Sequence, residues 1–289
     1  MERFVKIVEH IYQLKVPFGN SWTGVQLVLG KENILVDTGA TANDIDQHII
    51  PALEKLGMSL ETISWMIPTH IHGDHVGGCG RLREVAPYIR LAVYEDSLER
   101  MRKPLEYSKA IRARFPGMSA PAPKRLDGAE PDMLLKDGDK LGDLRLVFTP
   151  GHDIDSVSLF DERTGTLMTG DSLQLNGTIS QGCALLMDVK GYARTLRRLM
   201  DMEEIRNIVA GHDYLPVGAH AFGRKASQAY LQMCAACYEH DKGFVHGMVA
   251  AGITDATTIA QALISQLKGR EPEFLFLPLY TVTGFMEQG

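Results

Sequence analysis

The sequence predicts an α/β protein with one large domain and a helical appendage, and three observations lead to this class. Strand and helix patterns alternate over residues 1–95, strand patterns return over residues 132–215, and residues 216–289 have a helical pattern. The 289 residues are 45% hydrophobic with a net charge of only −6, which excludes a mainly disordered chain. A chain of this length can bury roughly three-quarters of its unfolded surface.

Short runs of apolar and β-branched residues predict the strands. The first two runs form a hairpin, because Gly30 and the polar residues 31–33 separate them. The predicted strands are Val25–Leu29, Ile34–Val36, Ile63–Ile67, Ile89–Val93, Leu144–Thr149, Val157–Phe160, Leu167–Thr169 and Ile208–Ala210.

Apolar residues spaced three and four apart predict the helices. These are Asn43–Leu56, Leu82–Ala86, Tyr192–Met200, Ala219–His240 and Thr254–Leu267. Pro51 is expected to kink the first helix or split it in two. Residues 97–130 mix helix formers with four prolines and a run of basic residues, which predicts a helical insertion over the domain surface.

The segment Thr69–Gly78 carries three histidines and one aspartate within six residues, His70, His72, Asp74 and His75. It directly follows an apolar strand, and its glycines allow the backbone to wrap tightly. His70 and His72 can project the same way if the backbone there is extended, and Asp74 and His75 are expected to turn away in a loop. Imidazole and carboxylate ligands suit zinc, iron or manganese. The segment therefore predicts a metal site.

Three further side chains that can bind metal share one local pattern. His152, Asp171 and His212 each follow a predicted strand and a glycine. A residue at a strand end is held rigidly and is exposed at the rim of a sheet, and the glycine permits a close approach. Any one of these would pass for a turn residue, but together with the histidine-rich segment they favour a shared metal centre.

These motifs resemble the metallo-β-lactamase-fold hydrolases, in the order that the family has them. The matching elements are His70-Ile71-His72-Gly73-Asp74-His75, Pro150-Gly151-His152, Thr169-Gly170-Asp171, Ala210-Gly211-His212 and the early Asp37 in Val36-Asp37-Thr38-Gly39. The resemblance covers about residues 5–215. It implies an αββα sandwich over residues 1–215, with the insertion at about 97–130 and a C-terminal helical extension over residues 216–289.

The resemblance also implies a ligand set and a reaction. His70, His72 and His152 would bind a first metal, Asp74, His75 and His212 a second, and Asp171 would bridge them. A bridging hydroxide would attack a carbonyl or phosphorus, since metal-bound water is available as hydroxide near neutral pH. Asp74 could accept a proton when the second metal is absent, and Asp37 is expected to orient a ligand imidazole or the loop amides.

The expected function is therefore that of a dinuclear metal-dependent hydrolase, most simply with zinc, acting on a thioester or another carboxylic ester. Phosphodiester hydrolysis by a phosphodiesterase or nuclease of this fold is an alternative, and a mononuclear iron persulfide dioxygenase is another. Gln174 stands where the similar quorum-quenching lactonases have a tyrosine, three residues after Asp171, which argues against that activity.

Composition and charge limit the classes of partner that are expected for this protein. With two divalent ions the site stays cationic, so a small and anionic substrate is expected, and the basic insertion could steer it. The pI of 5.9 argues against nucleic acid. No apolar run suits a membrane span or a signal peptide, so a cytoplasmic protein is expected. Residues 216–289 are expected to cap the pocket or to form a homodimer interface, since the apolar tail Phe274–Leu277 needs cover.

Overall fold

Two β-sheets form the centre of the protein, which a computed structural model describes over residues 3–288. The first sheet has its strands in sequence order: β1 Val5–Val8, β2 Ile11–Phe18, β3 Ser21–Val28, β4 Ile34–Val36, β5 Trp65–Ile67, β6 Arg90–Tyr94 and β7 Met133–Leu135. The second sheet has the order β13-β12-β11-β10-β9-β8, with β8 Lys140–Leu141, β9 Leu144–Phe148, β10 Val157–Asp161, β11 Thr166–Gly170, β12 Asn207–Ala210 and β13 His220–Phe222.

Helices lie along and between these strands. They are α1 Ala42–Asp44, α2 Ile50–Lys55, α3 Gly73–Val76, α4 Cys79–Val85, α5 Leu98–Arg102, α6 Pro104–Ala113, α7 Val189–Asp201, α8 Arg224–Ala250, α9 Ala256–Gln266 and α10 Phe276–Met286, with short 3₁₀ turns at Leu60–Thr62 and Glu95–Ser97. A π-helical segment, Ile45–Ile49, joins α1 to α2. Over the described residues, none of these helices has both the length and the apolar composition that a bilayer crossing requires.

Successive side chains of a strand point to opposite faces of its sheet. The two sheets therefore pack against each other on one face and against helices on the other, which gives four layers. In β4, Ile34 and Val36 pack between the two sheets, whereas Leu35 packs against the helices of the first half. In β12, Val209 lies in the same central layer, whereas Ile208 packs against the helices of the second half. The expected αββα sandwich is confirmed.

The C-terminal helices share a core with the second sheet. Leu231 of α8, Leu263 of α9 and Phe285 of α10 pack in one cluster with Ile208 of β12 and Leu199 of α7. A smaller cluster joins α10 to the inserted helix α6 and includes Ile111, Phe276 and Tyr280. The segment after residue 215 is thus packed against both the second sheet and the insertion.

Three local expectations differ from the structure. Residues 220–222 form strand β13, because they pair with β12 at the sheet edge and this pairing outweighs their helix propensity. Residues 114–130 contain no helix, so the helical part of the insertion ends with α6 at Ala113. The helix expected over residues 43–56 is interrupted before Pro51 and not at it, because the π-helical segment Ile45–Ile49 ends there and Pro51 lies near the start of α2, where its missing N–H is tolerated.

Candidate metal centre

The predicted ligands follow the carboxyl ends of strands that run in the same direction. β4 and β5 are parallel, and so are β11 and β12. β9 runs the same way as β11, because both are antiparallel to β10. The carboxyl ends of these strands therefore meet at one edge of the sandwich. A hydrogen bond from the Gly24 amide to the Gly211 carbonyl, 2.7 Å, links the two sheets there.

Three histidines form the first cluster. His70 follows β5, His72 caps the start of α3 with an extended backbone (φ −74°, ψ 149°), and His152 follows β9. The ring nitrogens His152 Nε2 and His72 Nδ1 are 2.9 Å apart. Each of the three rings offers a nitrogen that lies within 4.8 Å of those of the other two. The extended backbone at His72 is the condition under which the two histidines of the segment can face one point.

Asp74, His75 and His212 form the second cluster, with one atom of each within 4.8 Å of the others. Asp74 and His75 lie on the single-turn helix α3 and not in the loop that the sequence indicated. Asp171 faces both clusters. Its Oδ2 is 3.5 Å from His152 Nε2 and 3.2 Å from His212 Nε2, and its Oδ1 is 3.4 Å from His75 Nε2.

Two glycines are required by this crowding. A Cβ on Gly211 would lie 2.5 Å from Oδ1 of Asp171. Gly170 has a φ of +48°, and a Cβ there would collide with the side chain of Thr69. Since real Cβ atoms do not approach so closely, any other residue at either position would displace Asp171 or the strand end beside it.

Asp37 holds the first-sheet side of the site in place. It is fully buried, and its Oδ2 is 2.8 Å from Nδ1 of His75. Its Oδ1 accepts a hydrogen bond from the Thr69 amide at 2.8 Å, and the Thr69 hydroxyl is 3.1 Å from Nδ1 of His70. One carboxylate thus fixes the orientation of the His75 ring, which leaves Nε2 facing the cluster.

Backbone carbonyls and further side chains orient the other rings. Nδ1 of His212 lies 2.6 Å from the Trp22 carbonyl, and Nδ1 of His152 lies 3.1 Å from the Leu185 carbonyl. The amide of Gln174 is buried 2.7 Å from the same His152 nitrogen and outside the cavity wall. At the position where the similar lactonases have tyrosine, this chain therefore has a group that supports a ligand ring from behind.

Sequence reasoning missed three supporting groups, which are Asp153, Tyr107 and Tyr214. Oδ2 of Asp153 lies 3.5 Å from Nε2 of His72, and the same residue accepts a hydrogen bond from the Tyr107 hydroxyl of α6. Tyr214 is fully buried, and its hydroxyl accepts a hydrogen bond from Gln174 Nε2 at 3.4 Å. The proximity of Asp153 to His152 in the chain was the available signal. Tyr107 could not be found, because it comes from the insertion.

The charges of the two clusters differ. Burial lowers the pKa of His72 and of His152 to about 4 each, and it lowers the pKa of His70 well below its ordinary value. These rings are neutral and keep a lone pair. Burial opposes charge on His212 as well, but the carboxylate of Asp171 outweighs it and raises the pKa of His212 to about 10. The carboxylates of the second cluster therefore stabilise a positive charge that lies beside them.

Metal ions fit this donor set. Nε2 of His70, Nε2 of His75 and Oδ1 of Asp171 are buried and have no hydrogen-bond partner among residues 3–288. A buried polar atom without a partner is costly, and a cation that these atoms coordinate would remove that cost. Neutral imidazoles with carboxylates are typical ligands of zinc, and of iron or manganese.

A cavity of about 430 Å³ opens onto both clusters. His72, Asp74, His152, Asp171 and His212 line its floor. Its walls are mainly apolar and come largely from the β2–β3 turn, the insertion and the C-terminal segment. The apolar residues from these three parts are Phe18, Ile111, Pro121, Pro123, Leu126, Phe276 and Leu277. Ile71 of the histidine-rich segment and Leu185, which precedes α7, complete the apolar wall. The apolar tail of the chain is thus part of the cavity wall, next to the insertion.

Comparison with known proteins identifies a family for residues 17–212 and a similar fold for nearly the whole chain. A sequence model described as "Metallo-beta-lactamase superfamily" matches residues 17–212. The crystal structure of the metallo-beta-lactamase family protein TTHA1429 from Thermus thermophilus superposes with a TM-score of 0.73. That alignment covers 98% of this chain and 94% of that one, at 21% identity.

Two curated relatives are similar in sequence. The uncharacterized protein YobT of Bacillus subtilis is 36% identical over 46% of this chain, and the match spans 54% of YobT, about half its length. The acyl-coenzyme A thioesterase MBLAC2 of Bos taurus is 28% identical over 74% of this chain and 81% of its own length.

Proposed function

Because the chain belongs to the metallo-beta-lactamase superfamily, we propose that it is a hydrolase with two divalent metal ions, zinc being the first choice, that cleaves a thioester or another carboxylic ester. The cavity is the observation that carries this proposal. It places a wall of apolar side chains directly above two clusters of metal-binding groups. An acyl chain fits such a wall, and the bovine relative named as an acyl-coenzyme A thioesterase supports the same class of bond.

Each residue of the site has a part in this reaction. His70, His72 and His152 would hold one ion, and Asp74, His75 and His212 the other, with Asp171 facing both. Bound ions of this kind supply Lewis-acid activation of water and of the scissile carbonyl. Asp74 is 15% exposed and lines the cavity, so its carboxylate could accept the proton of the attacking water when the second ion is absent.

Metal analysis followed by an activity panel tests the proposal. Protein purified without added metal should contain about two divalent ions per chain, and it should hydrolyse thioesters or carboxylic esters faster than a chelator-treated sample does. Turnover of phosphodiesters alone would favour a phosphodiesterase or nuclease. About one iron per chain with uptake of oxygen would favour a persulfide dioxygenase, and either result would refute the ester hydrolase.

Matched variants separate loss of the site from loss of the fold. His72→Asn and Asp171→Asn should abolish hydrolysis and reduce the metal content. His10→Asn and Asp46→Asn are suitable controls, since His10 is partly exposed, Asp46 is exposed and both lie outside the clusters. Asn also tolerates the φ of 67° at residue 10. Full activity of either site variant would contradict the assigned roles.

A further inference from the structure

One cationic side chain faces the cavity from its wall. Among the lysines and arginines of residues 3–288, Arg112 alone lines the cavity. It lies near the end of α6, next to Ile111, and its guanidinium carbon is 5.6 Å from the centre of the Phe276 ring. The same cavity contains Asp74 on its floor, so this cation and the metal-binding groups belong to one space.

Arg112 lacks a counter-charge, unlike its neighbours. Arg100 pairs with Asp155 at 2.7 Å, Lys109 with Glu106 at 2.8 Å and Arg114 with Glu287 at 3.4 Å. Arg112 has no ion pair with a carboxylate within residues 3–288. Its Nη1 donates to the carbonyl and to the hydroxyl of Ser108, at 3.0 and 2.7 Å, and both acceptors are neutral.

The guanidinium is also incompletely satisfied. Its Nε is buried and has no hydrogen-bond partner among the described residues. A buried donor of this kind costs free energy unless another group pairs with it. Burial lowers the pKa of Arg112, and the charge of Asp74 opposes that shift, so the site favours an added negative charge beside the guanidinium.

The helix that carries Arg112 is held at both ends. Tyr107 donates its hydroxyl hydrogen to Asp153, beside His152, and the Tyr280 hydroxyl of α10 donates to the Ile111 carbonyl at 2.8 Å. These bonds fix α6 relative to the metal-binding loop and to the C-terminal wall. A group on a helix that is fixed in this way loses less conformational entropy when it binds a ligand.

We infer that Arg112 binds an oxyanion of the substrate, a carboxylate or a phosphate that an apolar spacer joins to the scissile ester or thioester. This inference rests on the proposed hydrolase, since it places the anion on that enzyme's substrate. The planar guanidinium binds either oxyanion through paired N–H groups. The apolar side chains of Ile111 and Phe276 are next to it and suit the spacer.

Three thioesters distinguish the two sources of the anion. Glutaryl-N-acetylcysteamine carries a carboxylate and no phosphate, butyryl-coenzyme A carries phosphates and no acyl carboxylate, and butyryl-N-acetylcysteamine is the neutral reference. In Arg112→Met, the kcat/KM of the preferred anionic thioester relative to the neutral one should fall about tenfold to a hundredfold, mainly through KM. Arg114 directly follows α6, and Arg114→Met is the matched control, in which that ratio should stay at the wild-type value.

Loss of preference for the glutaryl thioester identifies a carboxylate, and loss for the coenzyme A thioester identifies a phosphate. An unchanged ratio for both overturns the inference and leaves the hydrolase intact. Calorimetric titration of the metal-free protein with glutarate and with inorganic phosphate supplies a readout that needs no turnover. One of these anions should bind the wild type and bind Arg112→Met about tenfold to a hundredfold more weakly. Equal binding to both proteins, or to neither, refutes the assignment even if no thioester is hydrolysed.

Discussion

Replacing Asp37 by Asn should weaken metal binding without disturbing the fold. The two side chains have the same shape, and Asn readily adopts the left-handed backbone that Asp37 has, with φ at 64°. The change keeps the size of the side chain but removes one negative charge and one acceptor oxygen beside His75. The carboxylate accepts from the Thr69 amide through Oδ1 and faces Nδ1 of His75 through Oδ2, each at 2.8 Å. An amide has one oxygen, so one of these partners would meet an N–H group instead.

The expected loss of metal affinity follows from those contacts. A hydrogen bond to a buried charged group contributes about 1.5–3 kcal/mol, and loss of a group that orients a metal-binding histidine weakens metal affinity about 10- to 100-fold. If the His75 ring adjusts by moving its proton to Nε2, that nitrogen loses the lone pair that faces Asp74 and Asp171. The ion at the cluster of Asp74, His75 and His212 should therefore be the one affected.

Competition titration of the metal-free protein with zinc and a chromogenic chelator measures this effect. The weaker of the two zinc affinities should fall about 10- to 100-fold in Asp37→Asn, and the stronger one should change much less. Asp46→Asn removes a carboxylate that is exposed and pairs with Arg81, and it should bind zinc as the wild type does. Two wild-type affinities in Asp37→Asn would refute the role that we give to this carboxylate.

Three further predictions concern stability and geometry. Burial raises the pKa of Asp241 from 3.8 to about 6, so its ionisation costs about 3 kcal/mol of stability as pH rises through that range. Asp241→Asn should therefore unfold at higher urea than the wild type at pH 7, with the difference vanishing near pH 4; a constant difference would contradict this. Gly211→Ala should displace Asp171, so that it binds fewer than two zinc ions while its far-ultraviolet circular dichroism is retained. Phe285→Ala should cost about 3–5 kcal/mol in one urea transition, seen alike by fluorescence and circular dichroism, because α10 shares the core of the second sheet. Two separate transitions would show that the C-terminal helices unfold independently.

The candidate ligands could be proposed from the sequence because the signal for each one is local. His152, Asp171 and His212 each follow a strand and a glycine, and parallel strand ends meet at one edge of a sheet. The sequence was insufficient where packing between distant segments decides the structure. Residues 220–222 carry helix-forming neighbours but pair with β12 as a strand. Arg112 stands among several basic residues in the sequence, and only the three-dimensional arrangement shows that it has no ion pair among residues 3–288, whereas its neighbours Lys109 and Arg114 do.

The site therefore has two parts of different origin. Its metal-binding groups lie at strand ends and on the short helix α3, whereas much of the cavity wall comes from α6 and α10, which pack on each other through Ile111, Phe276 and Tyr280. Substitutions in that wall can change which substrate fits without moving a ligand. Tyr107 is an exception, because it packs beside this wall and its hydroxyl binds Asp153, which in turn lies against His72. A change at Tyr107 should alter substrate fit and metal binding together, because this residue contacts both the wall and the group that supports His72.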